Sequence, residues 1–526
     1  MFLNAWLNVS RTTLYAGVAF LYLAGWFVFR TELICPDMNW LEQPADQRVA
    51  SALHTPVPEG DNAQYLVPLR ERGAWRILLA AMGDPGRREL NALSMGAGWV
   101  LLITWLFVLD RGAIIHAGRA ALLVGVLLFG SPFYLLVLDE PGTLVEGGLA
   151  CLALALHLFC THRRPGDLSI GAALLIGVAA MNHLEWLALW PVMVLHGLLV
   201  QIVRRSTEVT LPAVLLKGAA GCCWLVIGLS PALLRNLYAL GIPWPPLPQA
   251  SLVLNGTDGP VQSLLPTLVA LWREQAANLY GRLVDQGLSR FAWLVLVWLG
   301  GIVWSVTGPQ KNRVPVHGLV ACLVVILPGA TALLSPLTGA RAFPVMVTVT
   351  LMLLAAAAAL TLWDFYWEGP LRHLAPRYRI VVGIGLAASM IGLGTRQVVR
   401  QAIVDAHQIS AVREVMALSL EGFKNRGMQV VASDVPLDFE ASGMVLVDLT
   451  CELTPSLYGY PEASAMTPAD WQALFNAYRV DGLLLFHDHW QDRLGTLPAV
   501  EHFMMMDAPE LPEGTGFPIL YQVQES

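Results

Sequence analysis

The sequence predicts an α-helical polytopic membrane protein of about eleven transmembrane helices, ending in a small extracytoplasmic α/β domain. Three observations lead there. The 526 residues are 56% apolar and only 13% charged, with a mean hydropathy of +0.56, whereas soluble domains carry roughly 25% charge. The apolar residues collect in runs long enough to cross a bilayer, which takes about 20 residues. Lys and Arg recur on one side of those runs, and the last ~130 residues, enough for a domain of their own, lack such runs.

The spans are expected at 12–30, 90–109, 119–138, 142–161, 168–181, 184–203, 211–233, 290–308, 316–335, 343–365 and 380–396. The fifth is short and meets the sixth at the polar break Asn182-His183-Leu184-Glu185. No small-residue cleavage pattern follows Leu14–Phe29, which therefore reads as an uncleaved first span. With the N-terminus inside, the inner connections hold Arg111 and Arg119, Arg163 and Arg164, Arg204 and Arg205, Lys311 and Arg313, and Arg372, Arg377 and Arg379. The short outer connections hold almost none, as the positive-inside rule requires.

That polarity divides the chain into a transmembrane domain, 1–396, and an extracytoplasmic α/β domain, 397–526, at the inner (plasma) membrane and its periplasmic face. Two larger outer loops, 31–89 and 234–289, belong to the first domain. Long loops tend to carry function. In the first, Asp61–Met82 reads as surface helices broken at Gly73. In the tail, Gln429–Ser433, Met444–Asp448, Gly482–Phe486 and Ile519–Val523 read as strands and Trp471–Tyr478 as a helix, an α/β sandwich.

Charge excludes one class of partner. The net charge of −7 combines basic inner turns with an acidic tail, so nothing points to nucleic acid. The 18 Trp fit aromatic anchors at two membrane interfaces. Of seven Cys, Cys151, Cys160, Cys222, Cys223 and Cys322 fall in spans as small hydrophobes, while Cys35 and Cys451 fall outside, which leaves a disulfide between them open.

Polar residues at membrane depth are functional candidates by default, and here they gather at the outer boundary. Asp61 precedes an amphipathic stretch with Tyr65 and Leu66. Asp139 and Glu140 cap the third span, His183 and Glu185 lie at the break, Arg235 and Asn236 end the seventh span, and Arg341 precedes the tenth. Each has a plainer reading: a helix N-cap for Asp61, hydrated turn residues for Asp139 and Glu140, a mutual pair for His183 and Glu185, lipid snorkelling for the arginines. Their convergence on one face favours a shared outward-facing cavity. Carboxylates beside arginine forks suit a phosphorylated lipid, the fork holding phosphate and a carboxylate taking a hydroxyl proton. No Walker loop, HExxH or paired CxxC is present, so nucleotide hydrolysis and zinc chemistry have no support. His487-Asp488-His489 reads as a polar strand end before it reads as a metal site.

The chain resembles the GT-C class of membrane glycosyltransferases, which take sugars from polyprenyl-phosphate carriers and include the protein O-mannosyltransferases and the lipid A aminoarabinose transferase. Four places carry the resemblance: Asp61 with Tyr65 and Leu66; Glu140-Pro141 within Tyr134–Leu149; Pro231-Ala232-Leu233-Leu234-Arg235-Asn236-Leu237-Tyr238-Ala239-Leu240-Gly241-Ile242-Pro243, close to the family's Pro-Trp-Leu-Leu-Arg-Asn-Tyr-x-x-Phe-Gly-x-Pro; and the tail segments Val430–Pro436 and Val480–Leu485. Departures occur at Asn62, at His183-Leu184-Glu185-Trp186 and at Arg341-Ala342-Phe343, where the class often has Glu, Arg-Pro-Glu-Gly and Arg-Tyr.

The resemblance implies inverting transfer of a hexosyl or pentosyl unit from a polyprenyl-phosphate carrier to a protein, lipid or polysaccharide acceptor at the extracytoplasmic face. It makes Asp61 the general base and Arg235 or Arg341 the phosphate's partners. Asp139 and Glu140 then orient sugar hydroxyls or hold a divalent metal ion; no other cofactor is implied. Two other readings of the scaffold remain, a non-enzymatic flippase for lipid-linked sugars and a catalytically inactive accessory protein. A flippase should show paired interrupted helices in two related halves, and the sequence shows neither.

Overall fold

The computed structural model describes residues 11–29, 73–82, 95–104, 141–204, 210–240, 264–307, 314–338, 342–367, 391–400, 418–434, 444–449, 466–485, 500–503 and 519–523, with short pieces between 92 and 133, at 243, between 373 and 389 and between 490 and 497. In chain order the longer elements are α1 (Arg11–Phe29), α2 (Gly73–Met82), α3 (Pro141–Arg163), α4 (Ile170–Ala180), α5 (Leu189–Arg204), α6 (Leu211–Leu240), α7 (Leu264–Arg282), α8 (Ala292–Thr307), α9 (Val314–Thr338) and α10 (Phe343–Trp367). There follow β1 (Val430–Ser433), β2 (Val445–Asp448), α11 (Pro468–Tyr478), β3 (Gly482–Leu485), β4 (Val500–Phe503) and β5 (Ile519–Val523). The chain divides into two compact units, one of Met1–Cys35, Gly86–Pro231 and Gly259–Ala402, the other of Pro36–Pro85, Ala232–Asp258 and Ile403–Ser526.

The first unit is a helical bundle. Among the described residues, five helical stretches are long and apolar enough to cross a membrane: Leu144–Arg163, Leu184–Arg204, Leu211–Tyr238, Val314–Leu334 and Phe343–Tyr366. Their burial differs sharply. The α6 stretch is 33% buried and leaves Leu215, Leu216, Val226 and Ile227 exposed, a face suited to lipid rather than water, whereas the α10 stretch is 89% buried. A helix apolar all round belongs inside a bundle, and α10 packs against α3, α8 and α9, with every residue from Ala355 to Ala359 buried. The apolar fifth span is realised as the 11-residue α4. At 1.5 Å per residue it rises about 16 Å, half the ~30 Å hydrocarbon core.

Small residues set the closest helix approach. A Cβ placed on Gly177 of α4 would come 3.0 Å from the Gly228 Cα of α6, and one on Gly228 would come 2.9 Å from the Gly177 Cα. Without side chains at this crossing the two backbones pack directly, as at small-residue contacts in membranes. Buried polar ties add to the packing. Near the C-terminal end of α3, His196 Nε2 donates to the Pro315 carbonyl at 2.8 Å, and His196 Nδ1 lies 2.8 Å from His157 Nε2. A carbonyl only accepts, so with both rings neutral His157 donates to His196 and α3, α5 and α9 are joined in one directed chain.

Within the stretch 234–289, expected as a loop, the described residues are mostly helical. α6 continues through Leu240, because Leu234, Leu237 and Leu240 keep a helical period and the interior Pro231 is accommodated. α7 then lies against α9, where Trp272 Nε1 donates to the Gly329 carbonyl at 3.0 Å and the Tyr280 hydroxyl donates to the Val325 carbonyl. Arg273 and Glu274 hide this helix from a search for apolar spans.

The second unit contains a five-stranded mixed sheet of order β2-β1-β3-β5-β4. β1 pairs in parallel with β2 and β3, while β5 pairs antiparallel with β3 and β4. Four strands and the helix match those expected from sequence to within a few residues; β4 is additional. β3 is buried throughout, as a strand covered on both faces must be. Leu483 and Leu485 enter a core with Trp471, Phe475 and Trp490, the two indoles edge-to-face at 5.8 Å. On the alternate face Gly482 meets Phe423, whose ring a Cβ would approach at 2.6 Å. The Asp481 carboxylate accepts from Gln429 N at 2.7 Å and Val430 N at 3.0 Å, fixing the start of β1 against β3. α2 belongs to this unit too. Its Trp75, Arg76 and Leu79 are buried, so this part of the first loop is packed rather than a surface helix.

α11 begins with a capping box in which the Thr467 hydroxyl accepts from Asp470 N while the Asp470 carboxylate accepts from Thr467 N at 2.7 Å. Hydrogen bonds from the Thr467 side chain and backbone hold the Asp470 carboxyl below its usual value. A carboxyl depressed in the folded state stabilises above its unfolded pKa, and that contribution disappears as pH falls through the folded pKa. Amides of Ala469–Tyr478 are therefore expected to lose hydrogen-exchange protection below about pH 4. The matched Asp470→Asn variant should lack this acid-dependent step.

Candidate active site

The break between α4 and α5 is built by sequence. The helix ends when Met181 and Asn182 turn back onto the Val178 and Ala179 carbonyls. His183 is extended (φ −144°, ψ 124°), and one 3₁₀ turn, Leu184–Ala188, restarts the chain into α5. The break exposes polar backbone and collects polar side chains inside an apolar bundle. Asn182 and Glu185 are both 0% exposed.

Two carboxylates are held there. Glu146, on the second turn of α3 and 2% exposed, accepts from His183 Nδ1 at 2.7 Å and from Trp186 Nε1 at 3.0 Å, both on Oε2. Glu185 Oε2 accepts from the backbone N–H of Ala342 at 2.6 Å, at the entry to α10. Segments near 146, 183 and 342 are thereby tied at one end of the bundle. His183 and Glu185, read in sequence as candidates for a mutual pair, are brought together with other partners, one across to α3 and the other to α10.

Glu185 also has a measurable structural task. Leaving a buried N–H without its acceptor costs roughly 1–3 kcal/mol. Glu185→Ala is expected to lower thermal stability by that amount, and Glu185→Gln, which keeps an acceptor oxygen, by less. Melting curves of the purified protein in detergent check both.

Arg235 and Asn236 lie in the second unit, within α6, which runs on past them to Leu240 rather than ending there. Arg235 is half-buried. Asn236 is fully buried, and its Nδ2 donates to the Pro243 carbonyl at 3.4 Å. Asp61, Tyr65, Asp139, Glu140 and Arg341 lie outside the described residues, as do Cys35, Cys451 and His487–His489. Among the described residues no three of His, Cys, Asp and Glu converge as a metal-ligand set. Glu146 and Glu185 each accept N–H donors on one carboxylate oxygen, Oε2.

Sequence reasoning passed over Glu146, Trp186 and Arg76. Glu146 stands five residues after Pro141 in an otherwise apolar span, and an acid at that depth was a signal in itself. Arg76 sits among Trp75 and Leu79 on the apolar side of α2, where a buried guanidinium is equally conspicuous.

No family model matches the chain, and no curated protein matches it in sequence. Among solved structures it is similar to ArnT from Cupriavidus metallidurans bound to undecaprenyl phosphate, at 12% identity and TM-score 0.46 over 97% of this chain and 98% of that one. It is also similar to the apo state of the same protein, at 12% identity and TM-score 0.47 over 97% of each chain.

Proposed function

We propose that this protein is an integral membrane glycosyltransferase of GT-C type. It moves a sugar from a polyprenyl-phosphate carrier to an acceptor hydroxyl at the extracytoplasmic membrane face. The observation that carries this reading is the buried polar cluster of Glu146, His183, Trp186 and Glu185 at one end of an apolar bundle. Such groups are expensive inside a membrane protein and mark its functional end. The sequence assigns Asp61, Asp139, Glu140 and Arg341 to the outer boundary, and the Arg235-Asn236 run adds the motif closest to the GT-C pattern.

The chemistry is a single displacement. The acceptor oxygen attacks the anomeric carbon, the bond from that carbon to the phosphate oxygen breaks, and configuration inverts. Asp61 takes the hydroxyl proton, and the carrier leaves as its phosphate, with one more negative charge than it had as a diester. Phosphate needs little acid assistance as a leaving group. Arg235 or Arg341 would bind the growing charge, a contribution of a few kcal/mol where water is excluded. Asp139 and Glu140 would orient sugar hydroxyls or hold a divalent ion.

The test is reconstitution into liposomes with a radiolabelled polyprenyl-phosphate sugar and membrane extract as acceptor. Transfer of label with release of polyprenyl phosphate supports the reading. Label that crosses the bilayer still attached to its carrier would replace it with a transporter.

A further inference from the structure

At the far end of α3 from Glu146 stands a group of charges that the proposed chemistry does not use. α3 closes on Arg163, and the turn Arg164–Ser169 leads directly into α4. The turn is firmly held. Arg164 N and Asp167 N donate to the Cys160 and Arg164 carbonyls, each at 2.9 Å. Gly166 adopts φ +82°, and a Cβ there would stand 3.1 Å from Gln201 of α5 and 3.2 Å from Val214 of α6. The turn is thus wedged against the two helices that carry Arg204 and Lys217.

These cations have defined contacts. Arg204 Nη1 donates to the His162 carbonyl at 3.5 Å, the Lys217 ammonium pairs with the Asp167 carboxylate, and the Arg163 guanidinium lies 4.4 Å over the Phe159 ring. Within α3–α6, the described residues of this end hold four basic side chains, Arg163, Arg164, Arg204 and Lys217, against one carboxylate, Asp167. Positive charge is in excess, and it is accessible. Arg163 and Arg164 are exposed, and the Lys217 side chain remains 48% exposed beside Asp167, so its ammonium can serve a second anion.

Apolar surface adjoins the charges. Ile170, the first residue of α4, and Leu211, Leu215 and Leu216 of α6 are all exposed, a surface that suits hydrocarbon rather than water. Basic groups bordering such a surface complement a lipid with an anionic headgroup, whose phosphate takes the charges while its chains cover the apolar flank. A soluble anion would use the first feature and leave the second bare.

We propose that this end of the bundle is a docking site for an anionic phospholipid. Arg163, Arg164 and Lys217 hold the headgroup phosphodiester, and an acyl chain lies along Ile170, Leu215 and Leu216. The basic-inside polarity expected from the sequence assigns that lipid to the cytoplasmic leaflet. The site is independent of sugar transfer, because none of these residues belongs to the proposed transferase centre.

The test titrates the full chain, in neutral detergent, with phosphatidylglycerol and reads the melting temperature, which rises as a ligand of the folded state saturates. The wild type should gain stability saturably from phosphatidylglycerol and not from phosphatidylcholine. Each basic group near an anionic lipid strengthens binding about fivefold. The combined variant Arg163→Gln, Arg164→Gln and Lys217→Gln should therefore raise the half-saturating concentration by roughly tenfold or more. A control with the same change in charge at the exposed residues Arg273, Arg282 and Arg400, each replaced by Gln, should keep the wild-type value.

An unchanged midpoint in the combined variant would overturn the proposal. So would an equal loss in the control, which would mean a diffuse field rather than a site. Saturation by glycerol phosphate at the same concentration would replace the lipid with a soluble anion, and an equal gain from phosphatidylcholine would leave charge without a role. Should the combined variant not fold, Arg164→Gln decides alone: a midpoint about fivefold higher supports the site, and the wild-type midpoint refutes it.

Discussion

Replacing Asp61 with asparagine is expected to cut sugar transfer by about 10³-fold, within the range that a positioned general base contributes. Asparagine keeps the size and much of the hydrogen bonding of aspartate but cannot take a proton. Donor binding should therefore persist while the chemical step fails. Single-turnover transfer in liposomes, alongside donor KM, separates the two. Asp61→Glu makes the second half of the experiment. It keeps the base but displaces it by one methylene, and misplacement by about 1 Å is enough to cost roughly 10²-fold. Undiminished transfer in Asp61→Asn would remove this residue from the mechanism, and an unchanged melting temperature would show that the loss is not one of folding.

The largest effect on stability is expected at the α4–α6 crossing. Gly177→Ala or Gly228→Ala places a methyl group 3.0 or 2.9 Å from the facing Cα, closer than packed atoms tolerate. The helices must separate, at about 1–3 kcal/mol for overpacking of this kind. Gly228→Leu should exceed that and reduce the yield of monodisperse protein on size exclusion. The double alanine variant should cost less than the sum of its parts, because the first methyl has already opened the crossing for the second. Strict additivity would mean that the two glycines do not share one contact.

The α/β segment was the most legible part of the chain. Short runs of Val and Leu bounded by Gly, Asp and Pro identify β1, β2, β3 and β5 without help from tertiary structure. β4 escaped because Val500-Glu501-His502-Phe503 is half polar; its strand character comes from pairing with β5. α7 escaped for a related reason: Trp272 and Tyr280 are satisfied by α9 carbonyls, partners that no local pattern announces. At the candidate site, local sequence located the break at His183 and Glu185 but not the residues they bind. Glu146 and Ala342 are 37 and 157 residues away from those two. Periodicity carries no information about such pairings.

The enclosure of α10 has a consequence for assembly. Its neighbours α3, α8 and α9 all come earlier in the chain. When this segment emerges during synthesis, the slot that receives it can therefore already exist, and a stretch apolar on every face has a protein destination waiting. A chain truncated just before Phe343 would leave that slot lined by the inward faces of three helices and open. Such a fragment is a natural substrate for membrane quality control, whereas one ending after Trp367 has its central helix in place.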